Sequence, residues 1–500
     1  MTEPNGDPVA IGSRLELMVD DHLLERFSGE AGLHLHRPVA REVVFPNESD
    51  PVAFEEGHGL RAGHAYMTVL QDGDVYRMYY GVSRFFFDKA KHTRVFYYAE
   101  SRDGLRWETP NLGLFEFEGS RDNNIVWWQD DSDRFSAVSF SPYIDENPAC
   151  TPEHRYKALV HPLRKGESRA KGLYALSSPD GIHWSALSAQ PGITDGAFDS
   201  QNLGFWDGVR GEYHAYWRDF YEGPGGMRFR GIKTATSADF LNWGSPEWLN
   251  YPGADPEELY TNQVIPYYRA PHIFVGFPSR YVARPWSEAT EDLPEPERRR
   301  SIIKRGGSER LGTALTDTVF MSSRDGVRFN RWGEAFIRPG LRGRDNWIYG
   351  DNYANWGIVT TASDMDGAPD ELTFYVAEGS RRDHYSKVYR RYTLRVDGFV
   401  SVRASRRGGE VITRPLTFEG KELVLNFSAS AAGGIRAELQ DIQGVPIPGF
   451  TVEDCVEVIG DDLERRVRWK EGGGVTQLAG SPVRLRFQLV DADIFSFRFR

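Results

Sequence analysis

Acidic side chains recur along this chain beside amides and aromatic rings. Asp199 is followed by Gln201 and Asn202, Glu257-Glu258 by Tyr260 and Asn262, and Asn352 is followed by Tyr353 and Trp356. Asp20-Asp21 and Glu55-Glu56 add two acidic pairs nearer the N-terminus, upstream of His64 and Tyr66. One carboxyl group held protonated and another held ionised can break a bond placed between them. Amides offer donors and acceptors that match hydroxyl groups. The rings of Trp206, Tyr260, Tyr353 and Trp356 offer flat apolar faces. Arg218-Asp219, Arg280 and Arg381-Arg382 add guanidinium groups suited to an anion. The chain has no Walker loop, no dinucleotide-binding glycine fingerprint, no His-Glu-x-x-His and no Gly-x-Ser-x-Gly elbow. Its 12 His show no ligand-like pairing, so neither a metal nor a cofactor is expected.

Single residues this far apart in sequence can meet only if a repeated scaffold carries them. Ser101-Arg-Asp-Gly-Leu-Arg-Trp107 recurs as Ser178-Pro-Asp-Gly-Ile-His-Trp184, as Ser237-Ala-Asp-Phe-Leu-Asn-Trp243 without its glycine, and as Ser323-Arg-Asp-Gly-Val-Arg-Phe329. A degenerate fifth copy is Val396-Asp-Gly-Phe-Val-Ser-Val402. Asp-Gly between apolar runs marks a tight hairpin, because glycine accepts positive φ. Strand-like runs such as Tyr76–Gly81, Val95–Ala99 and Tyr213–Trp217 precede the copies. Three strands and a hairpin arm make a four-stranded antiparallel sheet, and five such units predict an all-β, five-bladed β-propeller over residues 1–405. The segment 406–500 changes to short alternating strands and predicts a C-terminal β-sandwich. The charged stretch 284–310 interrupts the fourth repeat, as a solvated loop, a lid or a subunit contact in a homo-oligomer.

The 500 residues carry a net charge of −12 with 26% charged and 40% hydrophobic residues. That balance describes a folded protein, and it disfavours nucleic acid or an anionic membrane as partner. The polar N-terminus and the lack of a long apolar run give neither a leader nor a membrane span. With only Cys150 and Cys455, read as free thiols, the expected compartment is cytoplasmic.

In this arrangement the chain resembles the propeller glycoside hydrolases of families 32, 43 and 68. The likeness is strongest to a bacterial group with a family-32-like N-terminal domain and a C-terminal β-sandwich. Val19–Glu25, Asp195–Asn202, Leu259–Asn262, Pro271–Pro278 and Pro446–Phe450 carry it. The resemblance implies a hydrolase acting on a short oligosaccharide or glycoside, with fructose- or arabinose-like furanoses among the sugars. It also implies three acids on innermost strands that converge on a central funnel. Asp199 matches the transition-state-stabilising Asp, although Phe198 precedes it and Ser200 follows it. Glu258, two residues before Tyr260, takes the place of the general acid. The family's Asn-Asp-Pro-Asn-Gly nucleophile strand is missing, which leaves Asp21 or Glu56 as the third carboxyl. His64, Gln201, Asn202, Trp206, Tyr260, Asn262, Arg280 and Asn352 would bind the small carbohydrate substrate. A phosphorylase or transglycosylase, or a non-catalytic carbohydrate-binding propeller, are the alternatives on the same scaffold.

Overall fold

The structure is a computed structural model that describes residues 7–45, 61–85, 92–117, 119–128, 137, 139–161, 170–343, 346–379, 388–470 and 474–500, with backbone alone at 61–65, 82–85, 92–94, 305 and 306. The chain is all-β apart from three short helices inserted in one sheet and a few single turns. Five antiparallel sheets follow one another. Sheet I holds Arg61–Asp72, Val75–Phe85, His92–Ser101 and Ile125–Trp127; sheet II holds Tyr143–Ile144, Tyr156–Val160, Tyr174–Ser178 and Ser185–Ala186. Sheet III holds Leu203–Asp207, Glu212–Glu222, Arg228–Ser237 and Glu247–Trp248. In sheet IV two interrupted strands, Glu258–Leu259 with Ile265–Tyr267 and Ala270–Gly276 with Ser279–Val282, precede Leu315–Ser323 and Phe329–Ile337. Sheet V holds Tyr353–Ala354, Val359–Thr361, Glu371–Glu378 and Val388–Leu394, and its outer strand is Val39–Phe45 from the other end of the chain.

The repeated motif has a physical explanation. In each of the first four copies the Ser Oγ accepts backbone N–H bonds and the Asp Oδ1 caps the two residues after the turn; Asp103 takes N–H bonds from Leu105 and Arg106, both at 2.8 Å. Gly104, Gly181 and Gly326 have φ of 72°, 79° and 82°, and in the third copy Phe240 takes 66° with its ring buried against Tyr143, Tyr213 and Trp243. These hairpins lock neighbouring sheets. Tyr79 of sheet I donates to Gly181 of sheet II, Tyr216 of III to Gly326 of IV, and Tyr375 of V to Gly104 of I, at 3.0, 2.8 and 2.7 Å. The last sheet is therefore locked to the first. The following aromatics, Trp107, Trp184 and Phe329, pack on those same tyrosines.

The fifth copy does something else. Its turn leads out of sheet V into Val400–Thr413 of a separate six-stranded sheet, because Val39–Phe45 already fills the edge that a hairpin arm would take. Buried Asp397 instead accepts bonds from Tyr267 and Arg269 of the sheet IV hairpin and from Asn426 and Ser496 of the six-stranded sheet. That sheet combines Leu24–Leu35, Val400–Thr413, Arg484–Phe499, Leu423–Gln440, Asp461–Arg466 and Glu16–Leu17, while Val9–Gly12 pairs in parallel with Leu416–Phe418. Residues 9–35, expected with the first domain, thus pair with the C-terminal strands. Their alternating apolar residues complete a core that contains Leu24, Val411, Leu425, Phe487 and Phe497.

Three helices, α1 (Glu288–Glu291), α2 (Pro296–Gly306) and α3 (Arg310–Thr313), form the charged insertion between the second and third strands of sheet IV. Buried Arg299 fastens it by donating to Pro294, Gly312 and Trp347 carbonyls at 2.8, 2.9 and 2.7 Å. No helix among the described residues is long and apolar enough to cross a membrane. Cys150 and Cys455 are free.

A charged clamp joins the N-terminal segment to sheet IV. Arg324 donates to Glu16 at 2.9 Å and to Asp20 at 2.8 Å, and the Glu16 side chain is fully buried. Burial pushes the Glu16 carboxyl up, but the His272 imidazole 3.4 Å away and the Arg324 charge outweigh it and hold the group at about 2. Its folded value lies below the unfolded one. The stability it supplies is therefore present above about pH 4.5 and lost as pH falls towards 2. Arg324→Met is expected to cost about 3 kcal/mol in urea unfolding, because a buried carboxylate loses its main partner. It should also raise the acid-unfolding midpoint. Arg106→Met, at a 92% exposed side chain, serves as the neutral control. Equal stability of the two variants would show that the clamp does not hold the segment.

Candidate functional site

The starts of the first strands meet in a fully buried polar layer. Gln201 of sheet III donates to the Met67 carbonyl of sheet I at 3.4 Å and to Ser141, just before sheet II, at 3.2 Å. Gln263 of sheet IV donates in turn to Gln201 at 2.5 Å. Asn202 donates to Ser139 at 3.2 Å and to the Phe198 and Ser200 carbonyls, both at 3.0 Å. Sheet V joins through Trp356, whose backbone exchanges hydrogen bonds with Met67 and Val69 and whose indole donates to Val264 at 2.9 Å. Gln263 and Asn352 hold φ of 45° and 56° in the left-handed region, Gln263 where its strand is interrupted and Asn352 just before its strand begins. Asn tolerates that conformation because its short side chain bonds locally. Asn202 Oδ1, Asn262 Nδ2, Gln263 Oε1 and Asn352 Nδ2 are buried and have no partner among the described residues. Buried polar atoms in native proteins find a partner in protein, water or ligand, so this layer has hydrogen-bonding capacity to offer.

A tyrosine cluster sits beside this layer. The Tyr260 ring lies 5.7 Å from Tyr353 and 5.9 Å from Tyr349, which is 5.5 Å from Tyr281. Tyr260 also hydrogen-bonds Tyr66 and Tyr349. Burial pushes Tyr66, Tyr349 and Tyr353 well above the ordinary value of 10, so these hydroxyls stay neutral and act as hydrogen-bond groups rather than phenolates.

Two arginines of sheet III flank Tyr260. The Arg218 guanidinium lies 5.2 Å from its ring and that of Arg230 5.6 Å away. Arg218, with a side chain 2% exposed, is paired with Asp199, which is 72% exposed. Arg230 donates to Glu258 at 2.5 Å from its side chain and at 3.2 Å from its backbone N–H. Asp199 and Glu258 therefore stand in one neighbourhood, here called the mouth, each held by a buried guanidinium, with Tyr260 between the two arginines. Ser200 completes the join by donating to the Tyr260 carbonyl at 2.6 Å.

The structure gathers Asp199, Glu258, Gln201, Asn202, Tyr260, Asn262 and Asn352 in this region and separates three other expected residues from it. Asp21 is exposed in the turn that Asp20 ties to Arg324, in the hairpin after the third strand of sheet IV. First and third strands run parallel, so that hairpin lies at the opposite end of the sheet from Glu258 and Tyr260. Trp206 packs on Tyr213, whose hydroxyl is among Asn147, Asp145 and Lys157. It lies towards the far end of its strand, up to about 16 Å from Gln201 at roughly 3.3 Å per residue. Arg280 is turned to the other face of sheet IV, where Asp317, Glu257 and the Gly333 carbonyl occupy its donors at 2.6–2.9 Å. Trp356 is core, at 2% exposure. Glu56, the His64 side chain and Arg381-Arg382 lie outside the described residues.

Arg230, Tyr349 and Gln263 were not singled out from sequence. Arg228-Phe-Arg230 has a legible signal, since alternation places both arginines on one face opposite Phe220. Gln263 directly follows a named strand start. Tyr349, at the end of a loop, has none.

No family model matches the chain. Two curated proteins of Mycobacterium tuberculosis strains, "Uncharacterized protein Rv1502" and "Uncharacterized protein MT1551", are each 29% identical over 188 residues, 37% of this chain and 49% of theirs. The chain thus spans about half the length of the curated relatives it matches. Solved structures similar to it include an N-acetylgalactosamine deacetylase from F. plautii (13% identity, TM-score 0.43, 72% of this chain and 94% of that one). A Bombyx mori GH32 β-fructofuranosidase (10%, 0.40, 93% and 94%) and a β-1,2-mannobiose phosphorylase from Listeria innocua (12%, 0.41, 69% and 96%) are others. The chemistry rests on the residues described above.

If Gln201 joins the sheets, Gln201→Leu leaves Gln263 and Ser141 without their buried partner. The expected cost is about 1–3 kcal/mol by chemical unfolding, with a larger loss than for an exposed polar residue. A variant as stable as the parent would mean the layer contributes nothing to holding the sheets.

Proposed function

We propose that the chain is a carbohydrate-active enzyme, a glycoside hydrolase. In this reading the five sheets are the blades of a five-bladed β-propeller, closed by Val39–Phe45 and joined to a C-terminal β-sandwich. The observation that carries the proposal is the pair Asp199 and Glu258 at one mouth, on either side of Tyr260, beside buried amides. Glycosidic cleavage through an oxocarbenium-like state needs two carboxyl groups flanking the scissile bond. Glu258, with a side chain 14% exposed, is the better shielded of the two, and its ion pair with Arg230 suits it to face the anomeric carbon as a carboxylate rather than to donate the proton. Asp199, open to solvent beside Arg218, is assigned the role of stabilising the developing positive charge. Asp21 lies at the other end of the sheet, and Glu56, the other candidate for the third carboxyl, lies outside the described residues. The half-buried rings of Tyr260 and Tyr349 supply flat faces for the sugar, and the buried amides of Gln201, Asn202, Asn262 and Asn352 form the polar layer beneath them.

Phosphorolysis on the same site is a second reading, favoured by the Arg218 and Arg230 guanidiniums beside the two carboxylates. A panel of short oligosaccharides, assayed for sugar release with and without inorganic phosphate, separates the two. Release without phosphate is expected. Asp199→Asn and Glu258→Gln should each lower kcat/KM by at least about a hundredfold while circular dichroism shows a folded protein. Undiminished turnover by both variants would overturn the assignment.

A further inference from the structure

The mouth is more basic than its two carboxylates can balance. In sheet III the pairs Phe220↔Arg230 and Glu222↔Arg228 place Arg218, Phe220, Glu222, Arg228 and Arg230 on one face. The Phe220 ring lies 4.7, 3.6 and 5.5 Å from the guanidiniums of Arg218, Arg228 and Arg230. This hairpin continues six residues beyond Leu203↔Tyr216, the last pairing of the first strand, so it rises above the layer of amides. From α3 comes Arg310, whose guanidinium lies 5.7 Å from the Tyr349 ring and is electrostatically coupled to the Tyr281 hydroxyl. Arg230 stands 4.1 Å from that same Tyr281 ring. Two of the four guanidiniums are neutralised, Arg218 by Asp199 and Arg230 by Glu258.

Arg228 and Arg310 are exposed and have no carboxylate partner among the described residues. Glu222, opposite Arg228 across the strands, makes no ion pair with it, and the other acids nearby are committed elsewhere. Asp195 and Asp219 bind Lys233, Glu257 and Asp317 bind Arg280, and Glu309 accepts from the Trp286 backbone. On a chain of net charge −12, four guanidiniums against three carboxylates, with Arg228 and Arg310 over aromatic rings and in no ion pair, form a local positive site. Aromatic stacking orients a guanidinium and leaves its N–H edge available.

We propose that this rim receives an anionic substituent, a carboxylate or sulfate, carried by the sugar substrate, so that the enzyme acts on an acidic glycan. The inference rests on the glycoside hydrolase reading and specifies its substrate. Position favours a substituent over free phosphate. Arg228 and Arg310 stand outside the two carboxylates, where a group remote from the reacting bond would lie, whereas an attacking phosphate would sit between them.

The test is titration calorimetry of the full chain with uronate-bearing and sulfated trisaccharides and with the same compounds after carboxyl reduction or desulfation. The acidic member of at least one pair should bind at least about tenfold tighter, by a margin that shrinks as salt is raised. The double substitution Arg228→Gln and Arg310→Gln, at exposed positions, should bring the acidic-to-neutral ratio towards one with an unchanged Tm. Neutral sugars binding equally well, no binding of any acidic member, or a preference that survives the double substitution would overturn the inference. So would a requirement for inorganic phosphate satisfied by these two arginines. Neutral oligosaccharides cleaved without an acidic preference would leave the hydrolase reading standing and remove this one. Acidic glycans bound through these arginines but never cleaved would do the reverse.

Discussion

Closure of the row of sheets is the constraint on which the rest of the molecule depends. An open row leaves two unpaired edges and lets the first strands splay. Here Val39–Phe45 pairs with Val388–Leu394, Tyr375 of the last sheet donates to Gly104 of the first, and Trp356 exchanges backbone bonds with Met67 and Val69. Chain segments some 300 residues apart in sequence must be in register before any strand start has a fixed position. Glu42 reinforces the seam by pairing with Arg391 at 2.7 Å. Once the seam is shut, Gln201 can reach Met67, Ser141 and Gln263 at once, which no isolated sheet would permit.

Closure also explains why the polar layer is tolerable. Buried amides destabilise a protein unless they are bonded, and a bonded network fixes one arrangement where an apolar plug would accept several. The left-handed backbone at Gln263 and Asn352 fits the same view. At Gln263 the strand breaks and turns side chains off the regular alternation, and at Asn352 the chain makes the same departure just before its strand begins. Both residues belong to the polar layer. The cost of that geometry is met by the packing of Phe205, Phe274, Val319 and Trp356 in the core around it.

The repeat in the sequence was readable because each copy needs the same atoms: a Ser and an Asp to cap the turn, a residue that accepts positive φ, and an aromatic. Phe240 shows the limit of such reading, since packing there replaces glycine's conformational freedom. The Asp199, Tyr260 and Asn352 neighbourhoods were legible for the same reason, as equivalent positions of a repeat. What escaped were properties of the closed structure. Nothing local in Val39–Phe45 says that it completes the last sheet, and nothing in Asp20-Asp21 says that Arg324 draws it to the far end. Arg280 looked available because sequence gives residue type but not which sheet face its partners Asp317 and Glu257 occupy. The fifth Asp-Gly read as a hairpin arm, yet Asp397 joins two sheets, a role that depends on Tyr267, Asn426 and Ser496 converging from three distant segments.

The two mouth carboxylates serve electrostatics as well as the chemistry proposed for them. Arg218 is almost completely buried, and a guanidinium in that position without an acid would carry a large desolvation cost. Asp199 meets that need while keeping most of its surface open, so one side chain both balances the arginine and faces whatever enters. Glu258 does the same for Arg230 from a more enclosed position. The arrangement couples ligand binding to the ion pairs, because an anion at the mouth competes with the carboxylates for the guanidiniums. A neutral sugar leaves both pairs intact. An acidic substituent held farther out, as proposed for Arg228 and Arg310, would also leave them intact and so gain attraction without stripping the inner arginines of their partners. The fold has thus separated the cations that balance its acids from the cations that remain free to meet a ligand.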